Sequence, residues 1–166
     1  MERVIEHDGL TRRYYVNIPP NDEGPYSTSI SPMGLIIAMH GYGGSGQSNS
    51  FGGLNQYAFA ENMAVIEPSG AFRAWNVGAY WNSTGVDECG FIRKVIELAL
   101  DEFYIDKDRV YACGMSNGGY MAYELMGYLS DIITAFGSVT GNFMLNSYEM
   151  ENFKPNRDMP LIHIHG

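Results

Sequence analysis

Tyr111-Ala112-Cys113-Gly114-Met115-Ser116-Asn117-Gly118-Gly119-Tyr120 is the stretch that decides the reading of this chain. The apolar run Val110 to Cys113 predicts a buried strand, and Tyr120 to Leu129 predicts a helix. Between them lies G-x-S-x-G, which would set Ser116 on a sharp corner, with Gly114 and Gly118 small enough for the backbone to pass. The hydroxyl would project from the carboxyl end of a sheet. It would sit at the start of a helix, where free N–H groups favour developing negative charge. The tetrad of spacings alone is a weak signal, and the strand before it and the helix after it make it strong.

Outward from this corner, strands and helices alternate. Val4 to Glu6 and Thr11 to Ile18 flank His7-Asp8-Gly9, a hairpin turn signal. Leu35 to Met39 is a continuous apolar run, as expected of a strand covered on both faces. A helix is expected over Leu54 to Asn62, a short strand over Met63 to Ile66, and a long irregular segment over Glu67 to Gly85. Asp87 predicts an N-cap, followed by Ile92, Val95, Ile96, Ala99 and Phe103 at helical period. Strands at Ile132 to Val139 and Leu161 to His165 finish the chain. The pattern is an α/β fold in one domain over residues 1–166, with a largely parallel sheet behind an antiparallel N-terminal hairpin.

Bulk properties narrow the chemistry. With 166 residues, 45% of them hydrophobic, the chain can bury a substantial core. A net charge of −9 repels phosphate backbones, so nucleic acid is not an expected partner. No window is apolar enough for a membrane span, and the N-terminus shows no signal peptide. The two cysteines, Cys89 and Cys113, read as unpaired thiols in the core. No Cys/His cluster suggests a metal, and no cofactor is called for.

A serine nucleophile needs a base, a group that orients the base, and donors for the oxyanion. The backbone N–H of Asn117 is one candidate donor. The glycine-rich loop His40-Gly41-Tyr42-Gly43-Gly44 supplies the other, the N–H of Tyr42, with Gly41 and Gly43 letting the main chain turn toward the site. That loop lacks the Lys-Ser/Thr ending of a P-loop and the G-x-G-x-x-G of a dinucleotide site. His40 is expected to brace the loop rather than act as a base. Trp75 and Trp81 either line a substrate pocket or pack beneath their own loop.

These residues, with Val86-Asp87-Glu88-Cys89-Gly90-Phe91-Ile92, Arg109-Val110-Tyr111 and Ile164-His165-Gly166, occur in an order that resembles the polyhydroxybutyrate depolymerase-like esterases. That group includes the feruloyl and acetylxylan esterases of carbohydrate esterase family 1. The resemblance spans about Gly9 to Gly166. It implies an α/β-hydrolase fold and ester hydrolysis through an acyl-enzyme on Ser116. It further implies polyester or ester-decorated polysaccharide substrates, and an exported protein.

In that fold the order is serine, then acid, then histidine. The family's acid follows the His-Gly that matches His165-Gly166, and its histidine comes later still. Downstream of Ser116 only His163 and His165 occur, and they alternate within a strand rather than reach over the serine on a loop. The expectation is a C-terminally truncated hydrolase lacking the last strand and helix, with the triad acid and histidine beyond Gly166 and little turnover. A peptidase or acyltransferase on the same fold, or a non-catalytic hydrolase-like protein, are the competing readings.

Overall fold

Alternating side chains along the N-terminal hairpin decide which of its residues face the core. In a computed structural model, β1 (Glu2–His7) and β2 (Leu10–Asn17) pair antiparallel, with Asp8 and Gly9 both left-handed at the turn. The structure describes residues 1–20, 31–48, 51–78, 84–144 and 153–166. On β2, Arg12, Tyr14 and Val16 face the core while Arg13, Tyr15 and Asn17 face the other way. β2 then pairs antiparallel with β4 (Met63–Pro68).

The remaining strands, β3 (Met33–Met39), β5 (Ile105–Met115), β6 (Ala135–Val139) and β7 (Leu161–Ile164), are parallel. The sheet order is β1-β2-β4-β3-β5-β6-β7, so the apolar run of β3 lies near the centre and β7 at an edge. This is the expected mixed sheet with its antiparallel start.

Helix α1 (Leu54–Ala60) covers one face, where Ala38, Ala58 and Val65 form a small core. On the opposite face, α2 (Glu88–Glu102) and α3 (Asn117–Tyr128) lie over the main core. The period read for α2 is what buries Phe91, Ile92, Val95, Ile96 and Ala99. Asp87 caps it, its Oδ1 accepting from Gly90 N at 2.8 Å.

Several boundaries differ from the sequence reading. β5 runs back to Ile105, which pairs with Met33, while the polar residues between Ile105 and Val110 fall in a register shift against β3. Helix α3 begins at Asn117, directly from the corner, although Asn117-Gly118-Gly119 is poor helix sequence. Burial overrides propensity there. Ile132 and Ile133 belong to the turn closing α3, where both N–H groups bond to Leu129 O, so β6 starts only at Ala135. The long segment after β4 carries a 3-10 turn at Ala71–Arg73. Both cysteines are free, and burial pushes the Cys113 thiol up to about 12.

Candidate active site

Ser116 occupies the junction of β5 and α3 with φ 53° and ψ −118°. A non-glycine residue pays for such a conformation, on the order of 1–3 kcal/mol, only where the surroundings impose it. Here they do. A side chain at Gly114 would collide with the Gly118 carbonyl, and one at Gly118 with the carbonyls of Met39 and His40. The strand, the helix start and the loop after β3 therefore approach as closely as backbones can, and the serine is squeezed into the corner. Its N–H bonds to Val139 O at 2.8 Å, tying the corner to the end of β6.

The glycine-rich loop after β3 lies beside it. A Cβ placed on Gly41 would sit 3.6 Å from Ser116 Cβ. Gly43, at φ 78°, donates to Arg73 O at 2.8 Å, and Gly44 N donates to Gly41 O at 3.1 Å, so these two N–H groups hold the loop rather than face the serine. Tyr42 is in the same turn and is two-thirds exposed, at 67%. Asn117 opens α3, and the first-turn N–H groups of a helix have no intrahelical acceptor.

His40 braces this loop. Its Nε2 accepts from Gly70 N at 3.0 Å, which leaves Nδ1 as the donor to Gly41 O at 2.7 Å. Burial lowers its pKa, the Gly41 bond opposes that, and the nearby Arg73 charge lowers it further, so the ring stays neutral. Trp75 is fully buried, its indole N–H donating to His40 O at 2.8 Å. It therefore packs under its loop and has no surface to offer a substrate. Trp81 lies outside the described residues.

The side chain of Asn117 went unrecognised in the sequence, and it clamps the same segment. Trp75 N donates to Asn117 Oδ1 at 2.7 Å and Asn117 Nδ2 donates to Trp75 O at 3.1 Å. A second unrecognised element is a buried ion pair, Arg12 Nη2 to Glu88 Oε2 at 2.5 Å. Arg12 also donates to Ser69 O at 3.1 Å and lies over the Phe91 ring, while Glu88 Oε1 accepts from Ala71 N at 3.0 Å. The signal was available: Arg12 falls on the core face of an alternating strand, where a charge demands a partner. This pair fixes residues 69–71, which in turn hold His40.

Among the described residues, Ser116 Oγ makes no hydrogen bond, and no group of three or more potential metal ligands occurs. The four histidines are engaged elsewhere. His7 bonds Asp87, His40 its own loop, and His163 the Tyr123 hydroxyl at 2.8 Å, with His165 stacked on His163 at 5.5 Å.

A profile described as the prolyl oligopeptidase family matches residues 70–160, more than half of the chain. The chain belongs to the prolyl oligopeptidase family. Within this wider relationship its relatives carry esterase names. It is 28% identical over 168 residues to the esterase-named NocK of Nocardia uniformis subsp. tsuyamanensis, covering 99% of this chain and 47% of that protein. It is 31% identical over 113 residues to feruloyl esterase B of Thermothelomyces thermophilus, covering 64% of this chain and 38% of that protein. In structure it resembles the acetyl xylan esterase of Aspergillus awamori, with a TM-score of 0.70 at 16% identity over 95% of this chain and 57% of that one. The fold is that of the α/β-hydrolases. The chain spans less than half the length of these two curated relatives. The resemblance to feruloyl and acetylxylan esterases is thus borne out among the relatives.

Proposed function

We propose that this chain carries the nucleophile and oxyanion portion of a serine hydrolase that cleaves carboxylic esters through an acyl-enzyme. The observation that carries the reading is the Ser116 corner itself: a strained serine at a strand-to-helix junction, with the Gly41 turn against it. In this reading Ser116 Oγ attacks the ester carbonyl and the alcohol leaves. The N–H groups of Asn117 and Tyr42 bind the oxyanion, and water then releases the acid. His40, Gly41, Gly43, Gly114 and Gly118 shape the site. His7, His40, His163 and His165 do not supply the general base as they are placed, and the acid that would orient it is likewise unassigned.

The substrate class favoured is an acetyl or feruloyl ester on a carbohydrate, from the names of the relatives. A polyester such as polyhydroxybutyrate is the finer alternative drawn from sequence resemblance. One observation favours a peptidase instead, namely the description of the matching family. The test is labelling with a fluorophosphonate and intact mass spectrometry of the protein expressed from its complete coding sequence. A single adduct is expected on Ser116, together with turnover of methyl ferulate or acetylated xylan. Labelling with peptide cleavage and no ester turnover would transfer the assignment to the peptidase. No adduct at all would refute both.

A further inference from the structure

A cleft of about 650 Å³ opens between β1, β2, the turn at Gly46–Ser48 and the turn at Ala71–Arg73. It adjoins the loop beside Ser116, since Arg73, which lines it, accepts Gly43 N through its carbonyl. Phe72 and Arg73 both adopt left-handed backbone, at φ 53° and 65°. Two consecutive non-glycine residues in that region are strained, and the buried Arg12–Glu88 pair holds the chain just before them through Ser69 and Ala71. The outcome is that Phe72 stands 72% exposed beside the cationic Arg73.

The lining matches a polyhydroxylated, anionic ligand. Tyr15 and Gln47 offer a hydroxyl and an amide, and Phe72 an aromatic face on which a sugar ring can stack. Arg13 is paired with Glu2 at 3.2 Å. Among the described residues Arg73 has no carboxylate partner, and Tyr15 and Gln47 make no side-chain hydrogen bond. In a chain of net charge −9, an arginine at the rim of a cleft with no carboxylate partner among the described residues, where the lining Glu2 is taken by Arg13, marks a place for a ligand carboxylate. The Arg73 carbonyl accepts from Gly43 N at 2.8 Å, which places the residue against the proposed oxyanion loop.

We propose that this cleft is a sugar subsite that takes a carboxylate-bearing glycosyl unit of the substrate, with Arg73 receiving the carboxylate and Phe72 the ring. The proposal rests on the hydrolase reading for its place in catalysis, but the binding it claims is independent of turnover. Ser116→Ala protein is therefore titrated calorimetrically with xylotriose and with xylotriose bearing a glucuronic acid branch. The acidic sugar is expected to bind about tenfold tighter at low salt. Arg73→Gln in the same background is expected to abolish that difference, Arg73→Lys to keep part of it, and 0.5 M salt to shrink it.

Equal affinity for the two sugars, no binding of either, or a preference that survives Arg73→Gln would overturn the subsite. Arg73→Lys and the salt series keep the test decisive if Arg73→Gln does not fold. Charge-dependent discrimination in a protein that neither labels with fluorophosphonate nor turns over esters would retain the subsite and remove the hydrolase reading instead.

Discussion

The Ser116 corner and the His163–His165 strand end lie at the same carboxyl edge of the sheet, with β6 between them. They are linked through main-chain bonds from Ser116 N to Val139 O and from Thr140 N to Ile164 O, both 2.8 Å. Yet they are built oppositely. The corner is crowded by three backbones that leave room only for glycine. At the strand end, Ile162 and Ile164 are 68% and 57% exposed. Local crowding is what would present the proposed nucleophile. Presenting a base over it requires a loop that reaches back, and strand alternation places His163 and His165 on one sheet face instead.

The comparison breaks first if the corner proves dispensable. Ser116→Ala is expected to lower ester turnover by about 10⁴-fold or more and to remove the fluorophosphonate adduct. Ser116→Gly should do the same while raising stability by up to about 1 kcal/mol, because glycine tolerates φ 53° without strain. A melting temperature that falls in Ser116→Gly would show that the corner is not strained. Turnover that survives either substitution would remove Ser116 from the mechanism.

The crowding can be tested apart from the chemistry. Gly118→Ala drives a methyl into the Met39 and His40 carbonyls and is expected to cost about 3 kcal/mol. At this chain length that lowers the melting temperature by roughly 6–12 °C. Gly52→Ala, with open space around it, should be neutral within about 0.5 kcal/mol. Equal effects at the two glycines would show that the corner is not crowded, and the contrast with the strand end would go with it.

What could be read from sequence follows the same division. The corner was legible because its glycines, its serine and its flanking apolar runs are contiguous, so one local pattern contains the whole geometry. The hairpin and the α2 face were legible for a similar reason, since periods of 2 and 3.6 are local. The clamp between Asn117 and Trp75 spans 42 residues and the Arg12–Glu88 pair spans 76, so neither leaves a local signature. Trp75 could be taken as a substrate contact because its burial depends on the Asn117 and His40 partners, which are remote in sequence. The sequence pattern starts α3 three residues late, because glycine propensity argues against a helix that packing nevertheless enforces.

Helix α3 links the two regions, and a titration reports on its seat in the core. Burial raises the Glu124 carboxyl from 4.5 to about 7, and the residue is only 7% exposed. The folded protein then binds a proton more tightly than the unfolded chain. This contribution to stability is complete below about pH 4.5 and is lost as pH rises through about 7, with a size on the order of 3 kcal/mol. Glu124→Gln should therefore flatten the decline between pH 5 and pH 8 in denaturant midpoints measured beside the wild type. An unchanged slope would mean that the carboxylate is solvated and α3 is seated less deeply than the structure shows.

The smallest expected effect is at the strand end. His163→Ala removes one exposed hydrogen bond to Tyr123 and the stack with His165, so it should cost less than about 1 kcal/mol. Fluorophosphonate labelling of Ser116 should proceed at the wild-type rate within about twofold, because His163 points to Tyr123 rather than to the serine. The double variant His163→Ala, His165→Ala should behave alike. A hundredfold loss of labelling in either protein, with the melting temperature unchanged, would convert this exposed strand end into the site of the general base. The loop that the corner requires would then be a rearranged β7, and the two regions would be halves of one machine.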